Sequence, residues 1–249
     1  MFSLSGKLAV VTGGNRGLGR GIALALANAG ADIVSIQTGE DAPVTRAEVT
    51  ALGRRFFSYA CDLSTLQDAT PLAERIESEC GPVDILVNNA GVQRRHKAED
   101  FPLSDWDFVQ QVQLRSVFLT CQAFGSCMLG RGHGKIINLA SLLSFSGGIT
   151  VPAYAAAKGG VAQLTKALAN EWAARGVNVN AIAPGYMATD MNTALIADPV
   201  RNQAIMARIP AGRWGKPEDV GGPAVFLASA ASDYVHGQIL CVDGGWMAR

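Results

Sequence analysis

Lys7-Leu-Ala-Val-Val-Thr-Gly-Gly-Asn-Arg-Gly-Leu-Gly19 reads as a strand running into a glycine turn. Lys7–Val11 is short, apolar and partly β-branched, and Thr12–Gly14 ends it. Arg20–Ala29 is rich in alanine and leucine and stops at Gly30, as a helix does. A strand, a turn spacing Gly13, Gly17 and Gly19, and a helix make a phosphate-binding unit. Without Cβ atoms the backbone amides of the turn can approach a pyrophosphate, and the helix N-terminus adds a favourable dipole. Asn15, Arg16 and Leu18 complete the turn.

The same alternation continues along the chain. Further strands are expected at Ala31–Gln37, Arg55–Ala60, Val83–Asn88, Lys135–Leu139, Val177–Ala183 and Gln238–Val242. Helices are expected at Ala42–Leu52, Ser64–Cys80 with Ser64 as N-cap, Pro102–Leu129 as one long helix, Ala153–Ala174 and Glu218–Ala228. Most strands are apolar on both faces, which predicts a parallel sheet covered on both sides. No repeat, low-complexity tract or Pro/Gly linker divides the sequence, so residues 1–249 read as a single α/β domain that both holds a dinucleotide and carries out chemistry.

Composition narrows the function. The chain is 49% hydrophobic and 17% charged, with Lys+Arg and Asp+Glu both 21. A zero formal net charge argues against a nucleic-acid partner, which would want a basic excess. Five cysteines without a Cys-x-x-Cys pair read as free thiols in a reducing compartment, and three scattered histidines offer no metal site. No apolar run reaches the roughly 20 residues of a membrane span. The expectation is a cytoplasmic protein.

Tyr154-Ala-Ala-Ala-Lys158 carries the chemistry, thirteen residues after Ser141. On a helix, Lys158 lies one turn beyond Tyr154 on the same face. An ammonium beside a phenol favours the phenolate, so the tyrosine pKa is expected to fall from about 10 toward working pH. Such a phenol can exchange a proton with a substrate oxygen while a nicotinamide exchanges the hydride.

Thr12-Gly-x-x-x-Gly-x-Gly19, Asn88-Asn-Ala-Gly91, Ser141, Tyr154-x-x-x-Lys158 and Pro184-Gly185 together resemble the short-chain dehydrogenases/reductases, in order and spacing, over nearly the whole chain. The resemblance implies a Rossmann fold with seven parallel strands. It implies that Ser141 orients the substrate oxygen, that Tyr154 is the acid/base, and that Lys158 tunes the tyrosine and holds the nicotinamide ribose. By the same carry-over Asp62 and Leu63 contact adenine, Asn89, Ala90 and Gly91 flank the adenine ribose, and Thr189 binds the carboxamide, with Pro184 and Gly185 in the cofactor wall. One departure stands out: Val112-Gln113-Leu114 replaces the Val-Asn-Leu context of the family. That asparagine holds a water in a proton relay from the lysine. Glutamine keeps the amide and adds a methylene.

A narrower likeness, in segments such as Gln93-Arg94-Arg95, Ala183–Thr189 and Val242–Arg249, is to family members acting on deoxy sugar acids. Arg94 and Arg95 follow the fourth strand, where ligands collect, and a guanidinium can clasp a carboxylate bidentately. A solvated basic loop or a subunit salt bridge is the alternative for each. Cofactor choice rests on Gln37 and Arg16. An amide at Gln37 can hydrogen-bond a 2′-hydroxyl and favours NAD, whereas Arg16 could serve the 2′-phosphate of NADP. Rival functions are a reductase of another ketone, such as a ketoacyl thioester, and a non-catalytic dinucleotide-binding protein. Relatives commonly form homotetramers, so Trp246 near the C-terminus is expected at or near an interface.

Overall fold

In the computed structural model, residues 1–248 are described; Arg249, the last residue of the tail motif, lies outside them. Seven strands form one parallel sheet in the order β3-β2-β1-β4-β5-β6-β7. The strands are β1 (Leu8–Thr12), β2 (Asp32–Gln37), β3 (Phe56–Ala60), β4 (Ile85–Asn88), β5 (Gly134–Leu139), β6 (Val177–Pro184) and β7 (Ile239–Val242). The central strands β1, β4 and β6 are buried at every position, whereas the edge strands β3 and β7 are only partly so. That follows from their composition, since Val, Ile, Leu and Ala fill both faces of the centre.

Helices cover both faces. They are α1 (Gly17–Asn28), α2 (Pro43–Ala51), α3 (Thr70–Cys80), α4 (Leu103–Gln110), α5 (Ser116–Arg131), α6 (Pro152–Trp172), α7 (Thr193–Ala197), α8 (Pro199–Met206) and α9 (Gly221–Ala228). One core holds Val10, Val34, Leu86, Phe124, Ile136 and Trp172, and the other holds Val11, Ile22, Ile33, Val87, Ile137 and Leu227. A third, smaller cluster of Leu142, Leu195, Ile205, Ile209 and Trp246 caps the C-terminal edge of the sheet.

Two helices differ from the expectation. The third helix does not start at Ser64. Asp62 Oδ1 accepts from the Ser64 backbone N–H at 2.8 Å, which closes a local turn. The helix begins instead at Thr70, whose N–H donates to Asp68 Oδ1 at 2.8 Å, and Pro71 fits its first turn. The long helix is interrupted by a π-helical segment, Gln111–Arg115, between α4 and α5. Such widened turns often sit at functional sites, and this one carries Gln113.

Strand order reverses between β1 and β4, and a crevice opens there at the C-terminal ends of the strands. The glycine turn after β1, Asn88–Gly91 after β4, Ser141 after β5 and Pro184–Gly185 at the end of β6 all meet along that edge.

Candidate active site

The glycine turn is shaped by what cannot be there. A Cβ on Gly19 would lie 2.1 Å from the Gly13 carbonyl oxygen and 2.4 Å from Asn89 Nδ2. Gly13 and Gly17 have φ of 66° and 53°, in the left-handed region that disfavours side chains. Thr12 ties the turn to β4: its Oγ1 accepts from the N–H groups of Asn89 and Ala90, both at 3.0 Å. Asn89 returns the link by donating to the Thr12 carbonyl at 3.0 Å. Its amide is therefore a latch between two strand ends. Thr189 approaches from the opposite side, its Cγ2 4.0 Å from where a Gly17 Cβ would stand. Backbone bare of side chains at a helix N-terminus fits a dinucleotide pyrophosphate.

Around the turn, the expected cofactor residues differ in availability. The Asp62 carboxylate is held below its ordinary value by its Ser64 hydrogen bonds. Leu63 is buried, and its carbonyl accepts from Gln111 Nε2 at 3.2 Å. Gln37 is only 6% exposed, with its amide engaged on both sides, accepting from Ser35 Oγ and donating to Ser58 Oγ. Arg16 is exposed, and its guanidinium has no hydrogen-bond or ion-pair partner among the described residues.

Beneath the crevice a buried polar ladder braces β4 against β5. Asn88 donates to Asn138 Oδ1 at 2.9 Å and accepts from Thr120 Oγ1 at 2.8 Å, and Asn138 donates to Thr165 Oγ1 at 3.0 Å. Each buried amide is thereby satisfied, which such groups require.

Ser141 lies two residues past the end of β5 and caps a short 3-10 turn, Leu142–Ser144. Its Oγ accepts from the Leu143 N–H at 3.1 Å, which leaves the hydroxyl proton free to donate outward. Pro152 sets the first turn of α6, and two residues later comes Tyr154. Lys158 follows one turn on, 4% exposed, with Nζ donating to the Leu139 carbonyl at 2.6 Å and lying 5.6 Å from the Tyr154 ring centroid. Burial drives the Lys158 ammonium down to about 7.

The tyrosine shift runs against the sequence expectation. Burial raises the Tyr154 phenol above its ordinary value, and the nearby Ser141 hydroxyl and the Arg95 charge pull it back only in part. Desolvation of the phenolate outweighs both, so the expected drop is missing.

Gln113 is 1% exposed, and its Nε2 donates to the Val92 carbonyl at 2.6 Å. Its Oε1 is buried without a hydrogen-bond partner. A Cβ on Gly91 would lie 3.0 Å from Gln113 Nε2, so the longer side chain lies flat on that glycine.

The two adjacent arginines part company. Arg94 Nε lies 3.3 Å from Asp105 Oδ1, and its guanidinium stacks 4.6 Å above the Phe108 ring, so it belongs to α4. His96 shares that aspartate at 2.6 Å. Arg95 has no carboxylate partner; its Nη2 donates to the neutral Gln93 Oε1 at 2.8 Å. Its guanidinium is pushed below its ordinary value by burial and then by the charge of Arg201, with Tyr186 and Tyr154 acting the other way. Arg95 thus lies within electrostatic range of the acid/base residue. Tyr186 and Arg201 were not anticipated. Tyr186 directly follows Pro184-Gly185, a signal that could have found it, whereas Arg201 sits in a stretch without periodic pattern.

Trp246 is buried within its own chain, 8% exposed, with its ring centroid 4.7 Å from that of Tyr186. Its burial needs no neighbouring subunit.

A sequence model of the enoyl-(acyl carrier protein) reductase family matches residues 13–247. The chain belongs to the short-chain dehydrogenase/reductase family. It is 55% identical to the 2-dehydro-3-deoxy-D-gluconate 5-dehydrogenase of Escherichia coli, over 100% of this chain and 98% of the relative. The Bacillus subtilis enzyme of the same name is also 55% identical, over 100% and 97%. Among solved structures, a proposed 2-deoxy-D-gluconate 3-dehydrogenase from Agrobacterium tumefaciens with bound NADP superposes with a TM-score of 0.94 at 52% identity, covering 100% of this chain and 99% of that one. A gluconate 5-dehydrogenase from Burkholderia cenocepacia, in complex with NADP and tartrate, gives 0.96 at 41% identity, covering 100% and 98%. Membership in this family makes the protein an oxidoreductase acting on CH–OH groups. No helix among the described residues is long and apolar enough to cross a membrane.

Proposed function

We propose that the protein interconverts a secondary alcohol and a ketone on a deoxy sugar acid of the 2-dehydro-3-deoxy-D-gluconate or 2-deoxy-D-gluconate type. The observation that carries this is an unpaired guanidinium, Arg95, within electrostatic reach of the Tyr154 phenol. A carboxylate seated on Arg95 brings the same molecule's carbinol to the acid/base group. The names of the relatives support the same substrate class.

Hydride exchange is the chemistry that a nicotinamide dinucleotide, bound along the glycine turn, supplies. The chain's own side chains handle the proton and the oxygen. Ser141, its Oγ already accepting from Leu143, donates to the substrate oxygen and fixes its direction. Tyr154 gives a proton to that oxygen in ketone reduction and takes one in alcohol oxidation. Lys158, poised near neutrality, restores the tyrosine's protonation state, and Gln113 supports the route from solvent.

Both NAD and NADP are admitted in this reading. NAD preference would rest on Gln37 reaching a 2′-hydroxyl, and two serines already engage its amide. No acid stands at the end of β2 to repel a 2′-phosphate, and Arg16 is open to meet one. The reading also includes a homotetramer in the cytoplasm, supported by exposed Phe118 on α5 and by five unpaired thiols. The experiment is a turnover screen of uronate-pathway acids with both cofactors, alongside ketoacyl thioesters. Turnover confined to the thioesters, or absent for all substrates, overturns the proposal.

A further inference from the structure

We propose that Asp105, at the start of α4, is a positioning residue for the active site: it clamps the loop after β4, which carries Arg95, onto the start of α6, which carries Tyr154. The inference rests on the sugar-acid reading and deepens it, since it assigns what holds Arg95 in place.

The two oxygens of Asp105 serve the residues on either side of Arg95. Oδ1 lies 3.3 Å from Arg94 Nε, and Oδ2 accepts from His96 Nε2 at 2.6 Å. A carboxylate only accepts, so the imidazole proton sits on Nε2. Phe108, on the same helix as Asp105, backs the Arg94 guanidinium at 4.6 Å, and Phe101 meets the His96 ring edge-on at 5.1 Å. Arg95 donates within the loop, from Nη2 to Gln93 Oε1 at 2.8 Å. Its backbone is thus fixed from both sides, while its guanidinium has no carboxylate partner among the described residues.

The clamp reaches the catalytic helix. The His96 N–H donates to the Thr150 carbonyl at 3.1 Å. Thr150 has a φ of 65° and is the one non-glycine residue with a positive φ among the described residues. A β-branched residue takes that conformation where its surroundings hold it there. Val151 is the N-cap of α6, and Pro152 fills its first turn. From the other end of α4, Gln110 Nε2 donates to the carbonyl of Ala153, the neighbour of Tyr154, at 2.8 Å. So α4 holds the start of α6 at two points, directly through Gln110, and from Asp105 by way of His96. The Asp105 side chain is 28% exposed, and ion pairs in contact with water add little stability. Its effect therefore falls on placement, where a shift of about 1 Å can cost about a hundredfold in rate.

The test uses the cofactor-loaded enzyme with 2-deoxy-D-gluconate and its neutral amide. Asp105→Ala is expected to lower kcat/KM for the acid about ten- to a hundredfold. KM should rise more for the acid than for the amide, and kcat should fall for both. Cofactor affinity and melting temperature should barely move, since Thr12 and Asn89 latch the glycine turn separately. Asp105→Asn keeps an acceptor for His96 and should recover part of the loss; it also replaces the alanine variant if that one does not fold. The losses from His96→Ala and Asp105→Ala should not add, because both break the same chain of contacts. Hydrogen exchange gives a reading without turnover. Residues 92–97 should exchange faster in Asp105→Ala, while Asn89 and Ala90, bonded to Thr12, stay protected. Unchanged kcat and KM, with or without a lower melting temperature, overturn the clamp, as do additive losses in the double variant. A wild type inert toward the acid overturns the sugar-acid reading instead. Exchange over 92–97 then decides the clamp alone, and unaltered exchange in Asp105→Ala sinks it.

Discussion

Lys158 Nζ donates to the carbonyl of Leu139, nineteen residues back, at 2.6 Å, beneath the Tyr154 ring. The contact locks α6 to the end of β5, so the acid/base residue and Ser141 are held by one joint. It also buries an ammonium, and burial brings that ammonium down to about 7.

A stability signature follows. The folded pKa of Lys158 is depressed below its unfolded value of 10.5. Protonating the buried amine opposes folding fully below about pH 7, and the opposition fades as pH rises toward 10.5. Lys158→Met should therefore gain stability relative to wild type at pH 6, and the gain should shrink by pH 9.5. Urea unfolding at several pH values measures the difference, and a pH-independent difference would refute it.

Tyr154→Phe removes the proton donor and keeps the ring over Lys158. Turnover should fall by about two to four orders of magnitude, the range of general acid–base catalysis. Cofactor affinity, read by fluorescence titration, should hold. Near-wild-type turnover would remove Tyr154 from the chemistry.

Gln113→Leu deletes the donor to the Val92 carbonyl. Leaving the partly buried Val92 carbonyl unpaired costs on the order of 1 kcal/mol. Denaturant unfolding should show that loss, together with a slower proton-dependent step in the pH–rate profile. An unchanged midpoint and an unchanged profile would mean that the amide serves neither the fold nor the relay.

Arg16→Ala bears on cofactor choice. If the open guanidinium meets a 2′-phosphate, affinity for NADP should drop by about 1.5–3 kcal/mol while affinity for NAD barely moves. Equal losses for both would place Arg16 elsewhere.

Trp246→Ala should cost about 3–5 kcal/mol, whatever the assembly, because the ring is buried inside its own chain. Arg208 also loses the face it covers, 3.9 Å from the ring centroid. Sedimentation of wild type and variant separates the two roles. A folded variant that dissociates a wild-type tetramer would put the tail at an interface, and an intact tetramer would confine Trp246 to the cluster it forms within its own chain.

Local spacing was enough for the parts whose geometry is local. Gly13, Gly17 and Gly19 mark the turn because only a residue without Cβ tolerates those contacts and angles. Tyr154 and Lys158 share a helix face because four residues make about one turn. The alternation of apolar strands with helices predicted the covered parallel sheet for the same reason. Tertiary structure decided what depends on residues distant in sequence. Arg94 and Arg95 are neighbours in the chain, yet Asp105 and Phe108 on α4 capture one, and the other is left without a carboxylate partner in the electrostatic range of Tyr154. The π-helical segment at Gln113 has no period to announce it, since it adds one residue to a helix whose pattern otherwise continues. The Tyr154 shift reversed because burial is a sum over every element packed around the phenol, and no spacing of two residues contains that sum.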